Sequence, residues 1–321
     1  MPRRFINQLG EREPIDEIFV VTEKQLRPNR AGNLYMSMQL SDRTGAVNGM
    51  MWNANNEVYQ GFDNGDYVQV DGRTQYHNGA LQIIVTDIGP AEPGSVDESD
   101  FVQLTPKDVG SLRGRLAEIL RSINDFHLRN LAECYLIDES LMAKVETAPA
   151  GVKNHHAYQG GLLEHVVNVM ELVEVVAPRY GDEIDRDLLL MGAFLHDIGK
   201  VDELTYPRDV GYSDEGQLLG HVIIAIEMLN DKIAEAERLA NEKIPVETVL
   251  RLKHMIVAHH GQYEFGSPKL PMTCEAVALH HLDDLDAKIH SFAKLVQEDV
   301  NTDSNWTTYF PNLGRKLFKG Q

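Results

Sequence analysis

Residues 194–200 read Phe-Leu-His-Asp-Ile-Gly-Lys, so an adjacent histidine and aspartate close an apolar run of helical pattern. Ionisable side chains inside such a run cost free energy unless they are paired or bound to a metal. Four further helical segments place such residues in apolar surroundings: His165, His221, the pair His259-His260, and Asp283. One such histidine is usually a satisfied core residue, but five helices with this pattern argue against a purely structural role.

The residue types in this set are those of a divalent-metal site that activates water. Imidazole nitrogens and carboxylate oxygens bind such a metal while leaving one position open. The pair His196-Asp197 can serve two metals with the carboxylate bridging, and two metals about 3.5–4 Å apart clamp a phosphate under attack. Lys200 lies one helical turn after His196 and can add positive charge at a phosphate oxygen. The pattern therefore predicts hydrolysis of a phosphodiester by a metal-activated water.

Outward from this set, the chain has a helical pattern in both directions. The predicted helices cover residues 106–123, 125–136, 160–177, 185–198, 215–240, 246–259 and 273–298. Thr105 and Pro106 predict the start of the first helix, as an N-cap followed by proline at the first helical position. Residues 90–104 contain proline, glycine and acidic side chains, which indicates a linker before that helix.

Residues 15–90 have a different periodicity. Residues 34–40 alternate apolar and polar side chains, as in a half-buried strand, and Asn78-Gly79 is a hairpin signal. The predicted strands cover residues 17–21, 34–40, 46–52, 67–73 and 81–85. Five short strands with turn residues between them predict a small closed barrel.

The length and composition suit a two-domain globular protein. The chain has 321 residues, of which 43% are hydrophobic and 25% charged. The first residues carry two arginines but no apolar segment behind them, and no run of about 18 apolar residues occurs, so a cytoplasmic protein without a membrane span is expected. Cys134 and Cys274 are too few for a zinc knuckle and are expected to be free.

The net charge of −19 argues against a nucleic-acid-binding protein, which usually presents a basic face. The distribution weakens that objection, because residues 1–90 hold 8 basic and 11 acidic residues, a charge of only −3. The acidic remainder is compatible with a site that holds cations, and equally with a charge that only maintains solubility.

The ordered motifs resemble a known superfamily. The order His165, His196-Asp197, Asp283 is similar to the HD phosphohydrolases, and the fuller order with His221 and His259-His260 resembles their multi-metal members. The phrases HHAYQGGLLEHVVNV, LHDIGK, LGHVIIA, AHHG and HHLDDLDAK resemble the YhaM-type 3′-5′ exoribonucleases. Those proteins also carry an N-terminal OB-fold, which corresponds to the barrel predicted here.

The resemblance implies a fold and an activity. The fold class is α+β multidomain: an OB-fold over residues 1–92, a linker and helical connector over 93–145, and an all-α HD domain over 146–321. The activity is 3′-5′ exonucleolytic hydrolysis of single-stranded RNA, with single-stranded DNA left open as an alternative substrate. A homo-oligomer is an open alternative to a monomer, since the long helices predicted at 215–240 and 273–298 can support subunit packing.

The resemblance also implies roles for the metal-site residues. The core ligands are His165, His196, Asp197 and Asp283, with Asp283 preferred over its neighbour because it lies three residues before the terminal Asp-Ala. His221 and His259 complete a second metal, His260 is a ligand or a phosphate contact, and Lys200 faces the phosphate. The catalytic set is His196, Asp197 and Lys200. His155 and His156 match a family phrase without an assigned role.

Two divalent ions per site are expected, with manganese preferred and cobalt, iron, nickel or magnesium as alternatives.

The barrel is expected to bind nucleic acid, because OB-folds bind single strands by stacking bases on aromatic rings and by placing cations along the backbone. The expected contacts are Arg27, Arg30, Tyr35 and Arg73, with residues 24–30 in the first inter-strand loop. Core packing is the alternative role for the barrel aromatics, and residues 314–319 form a basic tail that either contacts the strand or is solvated.

Two other functions fit the same residues. One is an HD phosphohydrolase or phosphodiesterase of small nucleotides in which the barrel is a regulatory module. The other is a binding protein with a retired HD site, although a retired site has no reason to retain every ligand.

Overall fold

The computed structural model describes residues 3–77, 80–101, 104, 106–152, 156–206, 211–297, 299 and 304–320. The chain divides into two compact units, residues 1–103 with 292–321, and residues 104–291. This grouping places the C-terminal segment with the N-terminal strands. The domain boundaries at 92 and 145 expected from the sequence stay a proposal.

The first unit contains a closed five-stranded barrel in the order β1-β2-β3-β5-β4. Its strands are β1 (Pro14–Pro28), β2 (Leu34–Asp42), β3 (Gly45–Trp52), β4 (Tyr67–His77) and β5 (Ala80–Pro90), with helix α1 (Asn56–Gln60) between β3 and β4. All pairings are antiparallel except β3 with β5, which is parallel. The predicted barrel is therefore confirmed.

Alternation along the strands separates the barrel core from its outer face. In β2, Met36, Met38 and Leu40 are buried, whereas Tyr35 and the other odd-numbered residues point outward. The neighbouring strands repeat this pattern, so one face of each strand fills the interior and the other remains available to a ligand.

Strand β1 is longer than the sequence indicated. It continues to Pro28 through a bulge between Thr22 and Gln25. The expectation that residues 24–30 form a loop was therefore wrong for Lys24 and Arg27, which lie on the strand, and right for Arg30, which follows it. A bulge adds one residue to a paired strand and so interrupts the alternation of apolar and polar side chains. A prediction that relies on this alternation therefore ends the strand too early. The predicted turn Asn78-Gly79 lies outside the described residues.

The second unit is helical. Its helices are α2 (Pro106–Arg121), α3 (Phe126–Leu136), α4 (Glu139–Thr147), α5 (Gly161–Val176), α6 (Arg186–Leu195), α7 (Lys200–Glu203), α8 (Asp214–Leu219), α9 (His221–Ala240), α10 (Val246–Ala258) and α11 (Cys274–Gln297). A short ribbon of β6 (Leu204–Thr205) and β7 (Gly211–Tyr212) connects α7 to α8.

Three helical segments differ from the sequence prediction. Helix α4 was missed, although Asp138 caps it by accepting a hydrogen bond from the Leu141 amide. The predicted helix 185–198 ends at Leu195. The predicted helix 215–240 is two helices, because Gly220 adopts a φ of +74° that a helix interior does not permit. The cap predicted at Thr105 lies outside the described residues.

Helices α5 and α6 form the centre of the helical core. Nearly every side chain of α6 is buried, and the Tyr135 ring meets Phe194 edge to face with centroids 5.3 Å apart. Among the described residues, no helix combines the length and apolarity that crossing a bilayer requires. Because predicted ligands lie on α5 and directly after α6, the polar site described next is built into this apolar core.

Candidate metal centre

Five helices bring all seven predicted ligands into one cluster. His165 lies on α5, His196-Asp197 directly follow α6, His221 opens α9, His259-His260 directly follow α10, and Asp283 lies on α11. Five of the predicted ligands therefore stand at helix ends, where the chain can present consecutive side chains to one point.

The Asp197 carboxylate lies between two groups of histidines. Its Oδ2 atom is 3.4 Å from Nε2 of His196 and 3.7 Å from Nε2 of His165. Its Oδ1 atom is 3.5 Å from Nε2 of His221 and 3.6 Å from Nε2 of His259. Two ligands of one metal, each about 2.1 Å from the ion, are separated by roughly these distances. Each oxygen of Asp197 thus has two histidine nitrogens at such a distance.

Asp283 completes the group around His165 and His196. Its Oδ1 atom is 3.2 Å from Nε2 of His165 and 3.9 Å from Nε2 of His196. The neighbouring Asp284 instead pairs with Lys288 at 2.7 Å on the exposed side of α11. This placement supports the choice of Asp283 over Asp284 as the ligand.

Backbone carbonyls orient two of the imidazoles. Nδ1 of His196 donates to the Ala193 carbonyl and Nδ1 of His259 donates to the Ile256 carbonyl, each at 2.7 Å. Because a carbonyl only accepts, Nδ1 carries the proton in both rings and Nε2 is left as a lone-pair ligand.

Carboxylates orient two others. Nδ1 of His165 is 2.7 Å from Oδ2 of Asp286, and Nδ1 of His221 is 3.0 Å from Oε1 of Glu203. Glu203 also accepts a hydrogen bond from the backbone amide of His221. Such a carboxylate fixes the ring orientation and increases its basicity as a ligand.

Three buried polar atoms test whether a metal fits this cluster. Asp197 Oδ1, His221 Nε2 and His260 Nδ1 are buried and have no hydrogen-bond partner among the described residues. Buried polar atoms are nearly always satisfied, so a convergent group of orphans indicates a missing partner. Three groups have ligand atoms within 4.8 Å of one another: His165-His196-Asp197, His221-His259-His260 and His156-His165-Asp286. The first two, the two triads, consist only of predicted ligands. The mixed nitrogen and oxygen donors fit divalent ions.

The protonation of the second triad also suits a metal. Burial lowers the pKa of His259 well below its usual value and lowers the pKa of His260, and neighbouring histidines add to both effects. Both rings are therefore neutral near pH 7, which is the form that binds a metal.

At the first triad, neighbouring charges and burial shift the pKa values in opposite directions. Burial alone would lower the pKa of His165, but its hydrogen bonds to Asp283 and Asp286 outweigh burial and raise the pKa to about 9. Burial would likewise raise the pKa of Asp197, but Lys200 and His196 lower it well below its usual value. A metal that binds His165 must therefore displace a proton.

Lys200 contacts the Asp197 carboxylate. Its Nζ donates to Asp197 Oδ2 at 2.6 Å. Burial would lower the pKa of Lys200, but Asp197 raises it, so the side chain stays charged. The structure thus places the Lys200 ammonium group beside Asp197, and two of its three donors remain for other acceptors.

The turn after α6 explains the glycine in the HDIGK motif. A Cβ atom on Gly199 would lie 2.1 Å from the His221 carbonyl oxygen. Only glycine therefore lets the start of α9 approach the turn that carries His196 and Asp197, which brings the two triads together.

Sequence reasoning missed the residues that position the ligands. Asp286 and Glu203 each hold one ligand ring, and His156 joins Asp286 at 3.1 Å through Nε2 and Glu164 at 3.0 Å through Nδ1. His290 stacks on His156 with centroids 3.9 Å apart. The spacing of three residues between Asp283 and Asp286 was the available signal, since it places both on one helical face. His155 lies outside the described residues.

On the barrel, the predicted contacts lie on the outer face. Arg27 is opposite Tyr35 in the sheet, and Tyr35 is opposite Trp52, with the two rings 5.5 Å apart. Trp52 is 50% exposed. Arg30 is exposed between β1 and β2. Lys24 is not available, because its Nζ donates to the carbonyls of residues 59 and 62.

Arg73 belongs to the adjacent row of the same face. It is opposite Ile84, which is opposite Met50, and Met50 lies two residues before Trp52. Side chains two apart on a strand share a face, so Arg73 and Trp52 point to the same side of the barrel.

Comparison with known proteins agrees with both units. The sequence model of the HD domain matches residues 162–288, and that of an OB-fold nucleic acid binding domain matches residues 20–91. The second OB-fold domain of replication protein A from Methanococcus maripaludis is a solved structure with 24% identity and a TM-score of 0.22, covering 30% of this chain and 99% of its own. Because this TM-score is so low, the barrel assignment rests on the strand pairing and on the family match.

Fold and site together define a divalent-metal-dependent HD-domain phosphohydrolase that carries an OB-fold domain. The 3′-5′ exoribonuclease YhaM of Bacillus velezensis is 32% identical over 88% of this chain and 87% of its own length. That of Bacillus subtilis is 30% identical over 91% and 90%. The chain belongs to the family of YhaM 3′-5′ exoribonucleases, which confirms the expected family and fold class.

Proposed function

We propose that this chain degrades single-stranded RNA from its 3′ end, at the centre around Asp197. The observation that supports this most strongly is the placement of the Asp197 carboxylate between two pairs of histidines, His165 with His196 and His221 with His259. Each oxygen of Asp197 faces a different triad, so one side chain can hold two divalent ions side by side. Two adjacent ions are the arrangement that suits in-line attack on a phosphodiester.

The residues that hold these ions are proposed from their positions. His165, His196, Asp197 and Asp283 hold one ion. His221 and His259 hold the other with Asp197, and His260 is either a further ligand or a phosphate contact. When bound, the ions supply an activated water and positive charge at the phosphate. Two ions with manganese preferred is the proposal, and cobalt, iron, nickel or magnesium suit the same donors.

Lys200 and Asp197 contribute charge from the chain itself. Lys200 is a fixed cation beside Asp197, and we assign it to the phosphate oxygens when substrate is bound. His196 shares the catalytic set because its Nε2 atom faces Asp197 Oδ2. His260 is either a ligand or a phosphate contact, since its ring lies 5.2 Å from that of His221.

The outer face of the barrel is proposed to bind the RNA strand. The row Arg27, Tyr35, Trp52 offers two rings for base stacking and one cation for a phosphate. Arg73 adds a second cation, and Arg30 a third in the adjoining loop. The next row consists of amides that can hydrogen-bond to base edges: Gln39, Asn48, Gln82 and Gln75.

The test is degradation of a 5′-labelled single-stranded RNA by the purified chain, with Mn²⁺ and with EDTA. A metal-dependent ladder that shortens from the 3′ end is expected, and a DNA strand of the same sequence measures the sugar preference. A protein that retains metal but leaves RNA intact would refute the proposal and favour the small-nucleotide phosphohydrolase with a regulatory barrel.

Three further expectations accompany the proposal. The domain limits 1–92, 93–145 and 146–321, a cytoplasmic location and a homo-oligomer remain predictions. For the last, Val277, Leu285 and Ile289 are exposed apolar residues on α11, and light scattering of the full chain measures the oligomeric state.

A further inference from the structure

The C-terminal residues 304–320 form a small hairpin. Trp306 pairs with Phe318, and Phe310 pairs with Arg315, as isolated bridges. The Thr307 amide donates to the Leu317 carbonyl at 2.9 Å, and the Leu317 amide donates to the Thr307 hydroxyl at 2.8 Å. Thr307 and Leu317 are buried. The segment expected as a possible solvated tail is therefore ordered around its own small core.

The hairpin also exposes three aromatic rings. Trp306 is 50% exposed, Tyr309 is 56% exposed and Phe318 is 59% exposed. The rings of Trp306 and Phe318 lie 5.1 Å apart. Solvent-exposed aromatic side chains on an ordered backbone are typical of a surface that binds a planar group.

The charge of the hairpin points to an anionic partner. Residues 304–320 contain three basic residues and no acidic residue, in a chain whose net charge is −19. Lys316 is exposed, and the Arg315 guanidinium lies 5.3 Å from the Phe292 ring centroid. Lys319 is 2.8 Å from Asp299, so Lys316 and Arg315 carry the charge complementarity.

We propose that this hairpin is a second contact surface for single-stranded RNA. Bases stack on Tyr309 and on the pair Trp306 and Phe318, while Lys316 and Arg315 face phosphates. Rings combined with cations are how single strands are bound without sequence preference. The hairpin groups with the barrel in one compact unit, so both surfaces belong to the same binding module. This inference rests on RNA being the substrate.

The test is RNA affinity of the full chain in EDTA, where the strand stays intact. Fluorescence anisotropy with a labelled 15-nucleotide RNA compares wild type with Tyr309→Ala/Phe318→Ala. The double substitution should weaken binding roughly tenfold, the scale of one lost stacking contact. The matched control Tyr180→Ala/Tyr263→Ala removes two exposed tyrosines of the helical unit and should leave affinity unchanged.

Charge and contact are measured separately. Lys316→Gln should reduce the slope of log affinity against log salt by about 0.7, the value for one phosphate of a single strand. Wild-type protein irradiated with 5-iodouridine RNA should give adducts within residues 304–320, which needs no variant to fold.

The outcomes separate this inference from the proposed function. Wild type that degrades RNA, with unchanged affinity in the double variant and adducts only on the barrel, overturns the hairpin assignment alone. Wild type that binds RNA through the hairpin but does not cut it overturns the nuclease proposal alone.

Discussion

The metal centre and the outer barrel face differ in how firmly the fold fixes their residues. At the centre, each of four imidazoles has its Nδ1 atom held by a carbonyl or a carboxylate, inside an apolar core. On the barrel, Arg27 and Trp52 lie on strands but project into solvent. The fold thus fixes the orientation of the imidazole rings at the centre, whereas the side chains on the barrel face can adjust to a flexible strand. Substitutions at the centre should stop hydrolysis, and those on the face should only weaken binding.

The largest effect is expected from Asp197→Asn. This change removes a negative charge from the position between the triads, and loss of metal charge stabilisation costs several kcal/mol, or at least about 10³-fold in rate. Hydrolysis rate and RNA affinity are measured on the same preparation. Asp284→Asn is the matched control, because Asp284 pairs only with the surface Lys288 in the described contacts. Equal losses in both variants would remove the distinction between ligand and surface carboxylate.

A smaller effect is expected from Asp286→Asn. Asp286 holds His165 without facing the triads, so metal affinity should fall about 10–100-fold while saturating metal restores most activity. The measurement is activity against free Mn²⁺ concentration. A loss that excess metal does not restore would make Asp286 a ligand, and no loss would remove its positioning role.

The barrel face should behave differently. Trp52→Ala should weaken RNA binding about tenfold through one lost stacking contact, and leave hydrolysis of a small phosphodiester such as bis(p-nitrophenyl) phosphate unchanged. Tyr212→Ala, an exposed aromatic of the helical unit, serves as the control. Slower hydrolysis of the small diester by Trp52→Ala would contradict the separation between hydrolysis at the metal centre and RNA binding on the barrel.

Metal removal tests the centre through stability. An ion present at about 100 times its Kd stabilises the folded state by about 2.7 kcal/mol. For a helical unit of this size, that corresponds to roughly 5–10 °C in Tm. Calorimetry of the full chain with Mn²⁺ and after EDTA should show this shift, and Asp197→Asn should abolish it. An identical shift in the variant would mean that the metal binds elsewhere.

The two regions also differ in how much the sequence revealed. The cluster of histidines and aspartates could be predicted because a buried histidine or aspartate needs a partner, and the barrel could be predicted because its strands alternate. The roles of Asp286 and Glu203 could not, since a carboxylate reveals its partner only after the helices pack. The division at Gly220 was hidden because apolar periodicity continues on both sides of it. The extension of β1 was hidden by its bulge.

Asp283, from α11, gives the centre a consequence for the order of events in biosynthesis. The other predicted ligands lie on α5, directly after α6, at the start of α9 and directly after α10, and Asp283 joins His165 and His196 only when α11 docks. A chain that emerges from the ribosome with its N-terminus first can fold the barrel while α11 is still unmade. Under the proposed function, hydrolysis therefore needs the synthesis and docking of α11, whereas all five barrel strands precede that helix in the chain.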